Sequence, residues 1–285
     1  MFSFSNSISK FGQQGEKTGV PYIFIPQSLS KKKNPVKKKI LSRFKKVVFA
    51  FSPTPALFLF IFLLLNAQNA MTQDKPFLSD WANLKKYSTE NLKIKPLSKD
   101  EKRIVFMGNS ITESWTSIDS NFFNNKPYIN RGISGQTSSQ MLFRFRQDVV
   151  SLNPVVVVIL SGINDIAENN GPISIDAIFG NIVSMVQLAK INKIKVVLSS
   201  VLPAYDFPWH PGLQPAEKIV KLNTLIKSYC IGNHIVYLNY YSKLVDDRKG
   251  LDKKFTKDGV HPTLAGYQIM EPLVEKAIKK ALRQK

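Results

Sequence analysis

Two kinds of segment alternate along the chain from residue 103 onward. Short runs of consecutive apolar residues are each followed by longer stretches where apolar residues recur at every third or fourth position. A short, uniformly apolar run fits a strand covered on both faces, and the second pattern fits an amphipathic helix. The runs are Arg103 to Met107 ending at Gly108, Tyr128 to Asn130, Val155 to Leu160, Lys195 to Val201 and Ile235 to Leu238. Helical spacing joins Met141, Leu142, Phe145 and Val149 within 137–152, and Ile178, Ile182, Met185, Val186 and Ala189 within 174–191. It also joins Ile219, Leu222, Ile226 and Tyr229. A last helix carries Tyr267, Met270, Val274, Ala277, Ile278, Ala281 and Leu282, with Pro272 expected to kink it. A shorter helix is expected within Trp81 to Leu92.

Strand followed by helix, repeated in this way, predicts a mostly parallel sheet with helices on both faces. Sites in such sheets form at the carboxyl ends of the strands. The loops to inspect are therefore 108–112, 131–137, 161–172, 202–214 and 256–263.

The region before residue 81 does not show this alternation. Residues 1–46 hold eleven Lys and Arg against one acid, Glu16. The run from Val47 to Leu65 is apolar but broken at 52–55, and its cleanest part, Ala56 to Leu65, is too short for a membrane span. A basic flank, an apolar core and the small, polar segment 66–70 predict an export signal, with a membrane anchor over 47–65 as the alternative. The expected organisation is a basic arm over 1–46, the signal region over 47–70, an extension with a short helix over 71–102, and a catalytic domain over 103–285. Secretion or delivery to a periplasm follows from the first reading.

Composition narrows the chemistry. The chain of 285 residues carries a net charge of +20, but half of that excess sits in the arm, which weakens a nucleic-acid reading. A single cysteine, Cys230, excludes an internal disulfide, a Cys-based zinc site and an iron–sulfur cluster. Cys230 is expected to be a dispensable core residue. The three histidines argue against a His-rich metal site.

The strand-end loops carry the candidate chemistry. Ser110, in Gly108-Asn109-Ser110, follows a buried strand; it can expose its hydroxyl at a strand-to-helix turn or simply cap the helix. Gly135, in 130–137, can let backbone approach a ligand, or serve an ordinary turn. Asn164, in Gly162-Ile163-Asn164-Asp165, can aim its amide into a cleft or cap the next turn. Asp258 and His261, three residues apart on a turn, can bond to each other, leaving one ring nitrogen as a base, or form a plain surface turn. Together the loops supply a nucleophile, N–H donors and an Asp–His pair, which acyl transfer through a serine ester requires. His210 has Asp206 nearby but lacks that three-residue spacing, and His234 precedes a strand at the opposite edge. Asn109, Arg131, Tyr205, Trp209 and His210 are candidate substrate contacts, with a salt bridge as the alternative role of Arg131. Arg144 and Arg146 are expected to be solvated.

In order and placement, Gly108-Asn109-Ser110, Gly135, Gly162-Ile163-Asn164-Asp165 and Asp258-Gly259-Val260-His261-Pro262 resemble the four motif blocks of the SGNH (GDSL-like) hydrolases. The resemblance runs from about residue 103 onward. It implies a single three-layer α/β/α domain around a five-stranded, flavodoxin-like parallel sheet. It implies Ser110 as nucleophile, His261 as base and Asp258 as its orienting acid. Ser110 N–H, Gly135 N–H and the Asn164 side chain would form the oxyanion hole, without metal or cofactor. Asn109 replaces the family's usual Asp, with the turn expected to survive. The segment from Thr256 to Pro262, followed by Gly266-Tyr267, is similar to bacterial members acting on acylated carbohydrates. The function implied is a serine esterase removing acyl groups, above all acetyl, from carbohydrate. The alternatives are a lysophospholipase or thioesterase for longer chains, and a non-catalytic carbohydrate-binding scaffold.

Overall fold

The computed structural model describes residues 80–94, 96 and 102–284. The arm, the signal region and the start of the extension lie outside the described residues. Among the described residues no helix is long and apolar enough to cross a membrane.

The strands are β1 Ile104–Gly108, β2 Tyr128–Gly132, β3 Val156–Ile159, β4 Lys195–Ser199 and β5 Val236–Leu238. They form one parallel sheet in the order β2-β1-β3-β4-β5, the flavodoxin-like arrangement expected. β1 and β3 are buried along their whole length, which is why their sequences show no polar alternation. The principal helices are α1 Lys85–Lys93, α2 Ser110–Ile118, α4 Ser138–Asp148, α6 Ile175–Ile191, α7 Pro215–Gly232 and α9 Leu264–Arg283. Short helices α3 Ser120–Phe123, α5 Ile163–Ile166 and α8 Tyr241–Leu244 complete the set among the described residues. Helix α9 continues through Pro272.

The strand order reverses beside β1, so the crossover helices divide between the two faces of the sheet. On one face α2 and α9 meet where Trp115 stacks on Tyr267, at a centroid separation of 5.1 Å. Tyr267 donates its hydroxyl to the carbonyl of Ile111 at 2.7 Å, which fixes the first turn of α2 against α9. Phe106, Phe122, Phe123 and Tyr128 pack around Trp115 and the sheet mostly edge to face, each pair adding about 0.5–1.5 kcal/mol beyond its area. On the other face α4, α6 and α7 lie side by side. Cys230, on α7, is buried there, and burial pushes its thiol up to about 12, as suits an unreactive core residue.

Close approach at the carboxyl ends requires glycine at 132. A Cβ on Gly132 would stand 2.1 Å from the Glu113 amide nitrogen, so the end of β2 lies directly on the first turn of α2.

Candidate active site

Ser110 is the first residue of α2, one residue past β1 and Asn109. Asn109 caps the helix by accepting from the Ile111 N–H at 3.1 Å, which frees Ser110 from that task. The Ser110 Oγ lies 2.9 Å from His261 Nε2, and His261 Nδ1 lies 2.7 Å from Asp258 Oδ2. An ionised carboxylate can only accept, so the ring proton sits on Nδ1 and the lone pair of Nε2 faces the serine.

The turn that presents His261 is built by local bonds. Asp258 Oδ1 accepts from the N–H groups of Val260 at 2.9 Å and His261 at 2.8 Å. Thr256 Oγ1 accepts from the Gly259 N–H and donates to the His261 carbonyl. Burial pushes the Asp258 carboxyl up, but the His261 and Val260 hydrogen bonds outweigh it and hold the carboxyl at about 2. A folded value below the unfolded one, near 3.9, means that the stabilisation by Asp258 is complete above about pH 4 and is lost as pH falls toward 2. The difference in urea-unfolding free energy between the protein and Asp258→Asn is therefore expected to shrink as pH falls from about 4 toward 2. A difference that stays flat down to pH 3 would contradict this ionisation.

Two loops bring N–H donors beside the serine. Ser110 N–H belongs to the unpaired first turn of α2. Gly135, at φ +76°, has no acceptor for its N–H among the described residues. Asn164, on α5, gives one amide hydrogen to the Gln136 carbonyl at 3.0 Å and keeps a second. The neighbouring Asp165 is buried and accepts from the Ser138 N–H at 2.8 Å and from its hydroxyl. Burial pushes its carboxyl up, and the Ser138 bonds act against that shift. It thereby ties α5 to the start of α4, just after the Gly135 loop.

Ser110, Gly135, Asn164, Trp209, His210 and His261 line one open cleft of about 900 Å³, with Asp258 behind His261. Trp209 is 45% exposed, and its ring lies 6.0 Å from that of His261. Its indole N–H donates to Asn169 Oδ1 at 3.1 Å, and Asn169 Nδ2 donates to the Gly135 carbonyl at 3.2 Å. His210 Nδ1 is 3.0 Å from the Ala167 carbonyl, with no carboxylate bonded to its ring among the described residues.

Four expectations need correction. Asn109 is fully buried as a helix cap and does not line the cleft. Arg131 is buried against the Tyr87 ring and bonds to Asn91, Glu90 and the Asn130 carbonyl, so the alternative role expected for it, a salt bridge, holds in place of substrate contact. Tyr205 faces a separate hollow with Arg248 over its ring, because the loop 205–211 turns Trp209 and His210 toward the serine and Tyr205 away. Arg144 is fully buried, whereas Arg146 is exposed as expected. The Arg144 guanidinium reaches Asp148 Oδ2 at 3.0 Å and the carbonyls of Gly108 and Arg131 at 2.9 Å.

The cleft also includes Ser114, Ser134, Ala167, Glu168 and Asn169, none of them singled out from the sequence. Ser114 stands one helical turn after Ser110, and 167–169 directly follow α5, which carries Asn164, so adjacency to the motifs was the available signal. Among the described residues no cluster of His, Cys, Asp and Glu could hold a metal ion.

A family model described as "GDSL-like Lipase/Acylhydrolase family" matches residues 106–269. The solved structure of a Bacteroides fragilis protein assigned as an acylhydrolase is 52% identical, with a TM-score of 0.71, covering 72% of this chain and 100% of that one. A GDSL-like lipase from Bacteroides thetaiotaomicron is 53% identical, with a TM-score of 0.69, covering 70% of this chain and 99% of that one. An acetylxylan esterase from Geobacillus stearothermophilus, solved as a catalytic mutant, shares the fold at 16% identity and a TM-score of 0.51, over 65% of this chain and 96% of that one. No curated protein matches the chain.

Proposed function

Since the chain belongs to the GDSL-like lipase/acylhydrolase family and is a hydrolase, we propose that it is a serine esterase cleaving small O-acyl groups, chiefly acetyl, from carbohydrate. The observation that carries this reading is the unbroken chain from Ser110 Oγ through His261 to Asp258, opening on a cleft with N–H donors at its wall.

The mechanism follows from the geometry. His261 Nε2 takes the proton of Ser110 as Oγ attacks the ester carbonyl. The carbonyl oxygen gains negative charge and rests on Ser110 N–H, Gly135 N–H and the second amide hydrogen of Asn164. Asp258, ionised, stabilises the imidazolium and keeps the ring in register. The tetrahedral intermediate collapses, the C–O bond to the alcohol breaks, and His261 returns the proton to the leaving oxygen. Water then attacks the acyl-enzyme by the same route, releasing the acid and restoring Ser110.

Lining chemistry supports a small acyl group and a polar alcohol. A long acyl chain needs apolar wall, gaining about 0.8 kcal/mol for each CH₂ removed from water. This cleft offers Ser114, Ser134, Glu168 and Asn169 instead, with Ala167 and Trp209 as its apolar members. An exposed indole with its N–H fixed by Asn169 suits stacking on a sugar ring.

Hydrolysis of p-nitrophenyl esters of increasing chain length tests this. Acetate is expected to exceed octanoate by at least about tenfold in kcat/KM, and acetylated glycans are expected to release acetate. A rise in kcat/KM with chain length would overturn the small-acyl reading and point to lipids or thioesters.

A further inference from the structure

Gly135 N–H lies on the peptide that Ser134 begins, so whatever fixes Ser134 fixes the direction of that donor. Ser134 itself is exposed and lies in no helix or strand. Both its N–H and its hydroxyl donate to Glu113 Oε2, at 2.6 and 2.5 Å. The other oxygen of Glu113 pairs with Lys86 on α1. Burial raises the Glu113 carboxyl, yet the bonds from Lys86 and Ser134 bring it below the ordinary glutamate range, so it accepts as an anion. Helix α1 lies outside the segment matched by the family model, but it reaches the same loop twice more. Tyr87 donates its hydroxyl to the Gly132 carbonyl, and Asn91 accepts from Arg131.

We propose that Glu113 is a positioning residue for the Gly135 loop: by accepting from both the N–H and the hydroxyl of Ser134, it holds the Gly135 N–H toward the reacting carbonyl. Asn169 steadies the far side of the same residue through the Gly135 carbonyl. Glu113 sits on the first turn of α2 with Ser110, so nucleophile and donor are referenced to one rigid helix. The inference rests on the reading of Gly135 N–H as an oxyanion donor.

A donor lost altogether costs about 100- to 1,000-fold in turnover, and one merely misdirected costs less. Glu113→Ala is expected to lower kcat on p-nitrophenyl acetate by about 10- to 100-fold, with KM within about twofold. Glu113→Asp keeps the charge at the helix start but falls short of Ser134, and is expected to behave like the alanine variant. Glu113→Gln keeps an acceptor oxygen for Ser134 and is expected to retain kcat within about threefold. Wild-type kcat in the Ala and Asp variants would overturn the proposal. So would a rise in KM at constant kcat, or a Gln variant as impaired as Ala. Should Ala fail to fold, as judged by thermal melting, Asp against Gln decides. Labelling of Ser110 by a fluorophosphonate in the unaltered protein separates the two levels. If Ser110 does not label and Ser110→Ala stays active, the proposed function fails and this inference with it. If Ser110 labels and Glu113→Ala turns over normally, only the positioning role fails.

Discussion

Ser110→Ala is expected to lower kcat/KM on p-nitrophenyl acetate by about 10⁴- to 10⁶-fold while leaving the fold intact. The size follows from the covalent route. Without Oγ no acyl-enzyme can form, and what remains is the electrostatic pull of the N–H donors on a carbonyl attacked by water. The fold should survive because Asn109, not Ser110, caps α2 by accepting from the Ile111 N–H. The thermal midpoint is therefore expected to stay within a few degrees. His261→Ala is expected to be nearly as inactive, and the double variant no worse than the worse single one, because the pair acts as one unit. Residual activity above about 1% in pure Ser110→Ala would mean that another group, such as the cleft-lining His210, supports a different route.

Some of this site is legible in the sequence because its partners are close along the chain or sit at strand ends. Asp258 and His261 meet across three residues of one turn, so their spacing alone announces the bond. Ser110, Gly135 and Asn164 each follow a strand, and the ends of parallel strands share one edge. The apolar runs located the five strands among the described residues, most plainly β1 and β3, where burial along the whole length leaves a signal in the local sequence.

What escaped is set by long-range packing. Arg131 lies at a strand end, where a cation looks like a substrate contact, but Tyr87 and Asn91 of α1 close over it. Nothing near Arg131 in sequence announces that helix. Tyr205 and Trp209 belong to one loop, and only its folded path decides which ring faces the serine. Glu113 reads as an ordinary solvated acid on α2 until Ser134 and Lys86 arrive from two other segments. Arg144 escaped for a different reason: helical periodicity places charge on the solvent face, and only the folded structure brings Asp148 and the strand-end carbonyls of Gly108 and Arg131 to a buried guanidinium.

That burial leads to the largest stability effect expected here. Arg144→Met is expected to destabilise the domain by about 3–5 kcal/mol, because removing one partner leaves Asp148 as an uncompensated buried anion. Both side chains are almost wholly excluded from solvent, so water cannot replace the lost bonds. The carbonyls of Gly108 and Arg131 lose a charged donor as well, and Gln136 loses its contact to the guanidinium. At about 2–4 °C per kcal/mol for a domain of this size, the thermal midpoint should drop on the order of 10 °C. Replacing Asp148 by leucine in the same protein should recover part of the loss, since an apolar pair no longer carries an unpaired charge. A separate reduction of kcat is expected below the melting transition, because Gly108 leads directly into Asn109 and Ser110 and the Arg131 carbonyl lies at the root of the Gly135 loop. Urea unfolding of the two single variants and the double variant gives the coupling directly. Additive losses would show that Arg144 and Asp148 stabilise the domain independently, and that the guanidinium acts mainly through the strand-end carbonyls.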